Sequence, residues 1–218
     1  MTLAAPTPTV PLNGSFWHTP LYTRTVDDGP AVNGDLRALV LDRSRSAPTS
    51  TVGVRNADKT SSDVLRWDHP AIEELRAWIT DAAYTLNDHV GAGRDPSGQE
   101  AEMIAEAWAV VYRPDGIHQL HSHHDAAWSG VYYVSTGHMQ HGTGLLQFVD
   151  PRPAAAAREP GRPPLHTISP EPGLLVAFPA WLRHWVTPYQ GDAERVVIAF
   201  NVGFRRSHKR QLFRCETP

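Results

Sequence analysis

Apolar residues along this chain change their spacing near residue 100. Before that point the recurrence is helical. Leu36, Leu39 and Val40 fall near one face of residues 34–42, with Asp35 as the expected N-cap. A clearer helix opens at Pro70, a residue suited to a first helical position. Ile72, Leu75, Trp78, Ile79 and Leu86 form its stripe, which is expected to run to about Val90, where Gly91 and Gly93 supply stop signals. After residue 100 the spacing predicts strands at 104–113, 117–123, 128–135, 144–149, 167–169, 173–178 and 195–204, with Pro114-Asp115-Gly116 as the turn between the first two. Residues 16–22 form an aromatic run that suits a first strand. Residues 43–62 and 150–164 read as loops and 91–100 as a turn-rich link. Closely spaced strands with turn signals between them predict a mainly β domain, a sandwich or jelly roll, with a few supporting helices on the N-terminal side.

Composition narrows the class. A length of 218 residues suits one large domain, and 41% hydrophobic with 20% charged residues suits a soluble globular one. Residues 1–15, rich in Pro and Thr, are expected to be a flexible arm. Residues 16–218 then form a single domain with its core at about 104–204. A net charge of -3 gives no reason to propose nucleic acid or an anionic membrane as partner. The single cysteine, Cys215, leaves no intrachain disulfide framework, so a cytoplasmic location is expected. No apolar run approaches the roughly 20 residues that span a bilayer. The twelve histidines are the unusual number, and they direct attention to one stretch.

That stretch is His121-Ser122-His123-His124-Asp125, in which four of five residues can ligate a metal. On a strand, residues i and i+2 share a face, so His121 with His123, or His123 with Asp125, can aim two ligands at one point. His184, beyond the strand that ends at Phe178-Pro179, is the best third ligand. Arg195 opens the last long strand, where a guanidinium can hold a carboxylate through paired hydrogen bonds. Two imidazoles and a carboxylate on one face of a metal describe a non-haem Fe(II) oxygenase, whose open positions take an oxo-acid and O2. These residues therefore suggest a 2-oxoglutarate-dependent dioxygenase. His18, His69, His89, His138, His141, His166 and His208 carry no expected role, and His118 and His124 stay open. Trp108, Trp128, Trp181 and Trp185 are expected in the core and at the rim.

The order of motifs also resembles a family, the bacterial and phage 2-oxoglutarate/Fe(II) oxygenases that carry His-x-His followed by Ser-Gly-Val-Tyr-Tyr-Val. The matching residues are His121-Ser122-His123, Ser129 to Val134, Gly144-Leu145-Leu146-Gln147-Phe148-Val149-Asp150-Pro151-Arg152, the run from Pro172 to His184, and Arg195-Val196-Val197-Ile198-Ala199-Phe200-Asn201. The resemblance covers roughly 108–204. It implies a double-stranded β-helix of cupin-like form, with Fe(II) and 2-oxoglutarate as cofactors. Its wider superfamily pairs His-x-Asp, here His123-His124-Asp125, whereas the group's own motif falls on His121 and His123. The set preferred on that basis is His123, Asp125 and His184, with His121 as the alternative ligand. Tyr133 is expected beside Arg195 on the cosubstrate carboxylate, and the usual Arg-x-Ser is here Arg195-Val196-Val197.

The expected activity is hydroxylation of an unactivated C–H bond in a small molecule, an amino acid or natural-product intermediate, with release of succinate and CO2. The partners are then that substrate and O2, and a homodimer stays open. Two rivals remain at this stage: a cupin-type dioxygenase with three histidines and no 2-oxoglutarate, and a non-enzymatic β-sandwich binding module.

Overall fold

The computed structural model describes residues 18–27, 29–47, 49–91, 102–152 and 165–205. The expected arm at 1–15, residues 92–100 of the link, 153–164 of the long loop, and Cys215 lie outside the described residues.

Among the described residues, two α-helices and nine strands follow in the order β1 (Tyr22–Thr25), α1 (Gly29–Ser46), β2 (Val54–Lys59), α2 (Pro70–His89), β3 (Glu102–His121), β4 (Trp128–Ser135), β5 (Leu146–Val149), β6 (Leu165–Ile168), β7 (Leu174–Pro179), β8 (His184–Val186) and β9 (Arg195–Arg205). The strands join one curled antiparallel sheet in the order β1-β7-β4-β9-β3-β8-β5-β6, with β2 added on β3. The fold is a double-stranded β-helix, as expected.

Alternation along the central strands sorts side chains onto two faces. Val196, Ile198, Phe200 and Val202 of β9 join Ala107, Ala109 and Val111 of β3 in a core shared with α1 and α2. Leu75, Ile79 and Leu86 bring the α2 stripe into that core. Buried hydrogen bonds tie the layers together, from Trp128 Nε1 to Asn87 Oδ1 at 2.7 Å and from the Tyr132 hydroxyl to Asn33 Oδ1 at 2.8 Å. The opposite, concave face holds a second cluster that includes Val110, Tyr112, Tyr133, Phe178 and Val197. Gly130 is required where β4 crosses β9, because a Cβ there would collide with the Phe200 ring and the Val176 carbonyl.

Several elements differ from expectation. Among the described residues the first strand is β1 at Tyr22–Thr25, which shares only Tyr22 with the aromatic run at 16–22, and residues 16–17 of that run lie outside the described residues. Helix α1 begins at Gly29, so Asp35 lies inside it and does not cap it. Strand β2 falls in a stretch that reads as loop, since only Val54 and Ala57 of its residues are buried. Most consequentially, Pro114-Asp115-Gly116 does not end a strand. Asp115 takes φ 64° and opposite it Asn56 takes φ 47°, making a bulge within one continuous β3. Asp115 N–H donates to Tyr189 O at 2.8 Å, and Tyr189 N–H to Gly116 O at 2.9 Å, which satisfies the backbone there. Helix α2 runs as expected, and His69 acquires a role as its cap, accepting from Ala71 N–H at 3.1 Å.

Candidate active site

Continuity of β3 past the bulge sets up the site. Its last residue, His121, stands in register with His184, the first residue of β8. Two residues on, the chain has left the strand, but His123 N–H donates to Ala180 O at 2.8 Å and stays beside the sheet. Ligand-capable atoms of His121, His123 and His184 all lie within 4.8 Å of one another. An ion that takes nitrogen ligands at about 2.1 Å is within reach of all three by small ring movements.

Two of the rings are already oriented. His121 Nδ1–H donates to Gln119 O at 2.7 Å, and His184 Nδ1–H to Leu182 O at 2.8 Å. A carbonyl only accepts, so each Nδ1 carries the proton and each Nε2 keeps its lone pair for a metal. Burial holds all three neutral. His184 is lowered to about 3 by burial, with His121 adding to the effect. His123 is lowered to about 4 by burial and then by His121 and Lys59, and burial likewise lowers His121. Neutral imidazole is the form that binds metal.

Asp125 is not brought to this group. It is exposed, in the bend between β3 and β4. The i+2 rule that would align it with His123 applies to extended strand, and the strand has ended at His121. His124 is exposed beside it. The structure thus gathers the alternative set, His121 with His123 and His184, rather than the one containing Asp125.

At the base of the same pocket stands Arg195, 1% exposed. Its guanidinium lies over the Tyr112 ring at 4.6 Å and near Tyr133 at 5.6 Å. Nε and Nη1 are buried with no hydrogen-bond partner, and among the described residues no acid pairs with it. Burial pushes the Tyr133 hydroxyl up to about 12 and raises Tyr112, with Arg195 pulling both the other way. Both hydroxyls therefore keep their protons and can donate. Tyr133 shares its strand face with Ser129 and Val131, and all three line the pocket. Tyr112 goes unnoticed in the sequence because its significance comes from pairing: it is the register partner of Arg195. His118, also left open by sequence, stacks on His121 at 4.2 Å and sits 3.4 Å from the Tyr112 hydroxyl.

Comparison with known proteins bears on this arrangement. Residues 106–201 match the model of a family described as "Putative 2OG-Fe(II) oxygenase". No curated protein sequence matches the chain. Among solved structures, the chain is similar to a prolyl-4-hydroxylase from Pseudomonas putida, at 18% identity and TM-score 0.60, covering 85% of this chain and 92% of that one. It is also similar to HygX from Streptomyces hygroscopicus with nickel and 2-oxoglutarate bound, at 14% identity and TM-score 0.55, covering 85% and 83%. A third is the viral collagen prolyl hydroxylase of Paramecium Bursaria Chlorella virus-1 in its 2OG complex, at 13% and 0.52, covering 84% and 94%. The matched segment runs from within β3 to most of β9 and includes every residue of the pocket base and the histidine group. The matched residues are thus similar to a class of oxygenases working with Fe(II) and 2-oxoglutarate, and the chain shares the fold of these solved structures.

Proposed function

We propose that the protein is a hydroxylase of that class acting on a small molecule. In this reading His121, His123 and His184 hold Fe(II), and Arg195 with Tyr133 and Tyr112 holds the far carboxylate of 2-oxoglutarate. One observation carries it: a fully buried guanidinium with two unpartnered nitrogens, at the base of a pocket whose wall presents three histidines. An uncompensated buried charge costs several kcal/mol (roughly), so a site that keeps one is built for an anion. The donor set fits both groups. Neutral imidazoles suit iron, and a planar fork of N–H donors suits a carboxylate.

When bound, the iron and cosubstrate would supply oxidative C–H chemistry, with 2-oxoglutarate leaving as succinate and CO2. The chain's own part is binding and orientation. The Gln119 and Leu182 carbonyls fix two ligand rings, the two tyrosine hydroxyls and the guanidinium fix the cosubstrate, and Val110, Val131 and Val197 between them keep the middle of the pocket apolar.

The three-histidine arrangement is also what a cupin-type dioxygenase without cosubstrate would need, and Arg195 is what separates the two readings. Anaerobic addition of Fe(II) and then 2-oxoglutarate tests them. The proposal expects a weak visible absorption band that requires both and is absent in Arg195→Gln. Turnover indifferent to 2-oxoglutarate would overturn it.

A further inference from the structure

The concave face does not stop at the histidines. On β3, the residues Ile104, Glu106, Trp108, Val110 and Tyr112 share one face by alternation, and the exposure falls from Ile104, 41% exposed, to Tyr112, 1%. On β9 the matching face reads Asn201, Ala199, Val197 and Arg195, from partly buried to buried. The trough therefore has a deep end, where Arg195 pairs with Tyr112, and an outer end, where Asn201 pairs with both Glu106 and Ser129. Trp108 stands between them and lies 5.8 Å from the His123 ring. The deep end is assigned to the cosubstrate, which leaves the outer end for the substrate.

Polar groups at this outer end are incompletely used. Asn201 Nδ2 donates to Glu106 Oε1 at 3.1 Å, which fixes the amide so that Oδ1 is presented as an acceptor. That Oδ1 is buried without a partner. Trp108 Nε1–H is likewise buried without a partner, and the indole lines the pocket. Lys59 lies over the indole face at 5.9 Å and is tied to Val52 O at 2.9 Å, so it braces the ring and does not reach for Glu106. Among the described residues Glu106 forms no ion pair. An unfilled acceptor beside a carboxylate calls for a cationic N–H group, and an unfilled donor nearby calls for an oxygen acceptor. Neither need is met among the described residues.

We infer that Glu106, Asn201 and Trp108 form a substrate-recognition subsite for a protonated amine that carries a carbonyl or hydroxyl oxygen close by. In it the ammonium sits between Glu106 and Asn201 Oδ1, and the oxygen accepts from Trp108. This rests on the oxygenase reading, because that reading assigns the deep end of the trough. All three are specificity residues, since they select the molecule without taking part in ligating the metal.

The test uses protein loaded with Zn(II) and 2-oxoglutarate, titrated with three probes and followed by ligand-observed NMR. The probes are L-norleucinamide, hexanamide, which lacks the amine, and n-pentylamine, which lacks the oxygen. The expected order puts norleucinamide at least about tenfold tighter than hexanamide, the size of one charge-assisted hydrogen bond. Glu106→Gln, at an exposed position, removes that advantage and leaves hexanamide within about twofold. Trp108→Phe weakens norleucinamide by about threefold and leaves n-pentylamine unchanged. Equal binding of norleucinamide and hexanamide, or an advantage that survives Glu106→Gln, overturns the inference while leaving the oxygenase reading intact. Failure of the Zn(II) protein to bind 2-oxoglutarate at all would sink both.

Discussion

Arg195 and His184 line one cavity, at 1% and 6% exposure, yet their local accounts differ completely. His184 is neutral, its Nδ1–H is matched by the Leu182 carbonyl, and its lone pair costs little while it waits for a metal. Arg195 is charged and carries two nitrogens that nothing in the described protein satisfies. At the histidine end two of the three rings have their supporting bonds and the group asks only for an ion. The arginine end is destabilised by desolvation, and a dianionic ligand relieves it. Such an asymmetry means that cosubstrate binding should stabilise the fold through the arginine end more than through the metal end. It also means that the two ends respond oppositely to mutation.

The largest expected effect comes from removing the anchor. Arg195→Met should weaken 2-oxoglutarate binding by about a hundredfold or more, the size of a bidentate charge-assisted contact. The same change should leave the ligand-free protein as stable or more stable, because it deletes an uncompensated buried charge. Calorimetric titration of the Zn(II) protein checks the first, and thermal unfolding without ligand checks the second. If Arg195→Met instead unfolds the protein, a hidden internal partner exists and the contrast between the two ends disappears.

At the other end, His121→Ala and His184→Ala should each lower metal affinity by at least about a hundredfold, more than the loss typical of a supporting outer residue. Competition with a chromophoric chelator measures this. The two ends also part under acid. His184 and His123 sit at about 3 and about 4 in the folded chain, against an ordinary value near 6.5 when unfolded. Their folded values are depressed, so the stability they allow is complete above about 6.5 and is lost as pH falls toward 4. Guanidinium groups keep their charge across this range. The urea midpoint of the metal-free protein should therefore fall between pH 7 and pH 5, and His184→Phe should flatten that fall.

How much of this was legible in the residues follows from the physics of each signal. The α2 stripe and the strand runs of β4, β7 and β9 declare themselves by period, because one or both faces are buried. His123, His184, Arg195 and Tyr133 were visible as residue types at strand ends and on a shared face. Strand β2 was hidden because an edge strand with four polar residues of six carries no period-2 signal. The bulge was hidden because Pro-Asp-Gly reads as a turn until Asn56, far away in sequence, supplies its opposite side. Tyr112 needed the β3–β9 register, which no local pattern encodes.

Asp125 gives the smallest expected effect and the sharpest test of which histidines matter. By spacing alone it is as good a partner for His123 as His121 is, since each lies two residues away. The structure breaks that symmetry: His121 closes a strand and pairs with His184, while Asp125 follows a bend and faces solvent. Asp125→Ala should thus leave metal affinity and 2-oxoglutarate affinity within about twofold of the parent, and stability within about 0.5 kcal/mol, as for other exposed substitutions. A loss of metal as large as that of His121→Ala would mean that the 122–127 segment rearranges on metal binding and delivers the carboxylate. Three neutral imidazoles would then describe only the metal-free state, and the charge on the metal would be partly balanced by the protein rather than wholly by the cosubstrate.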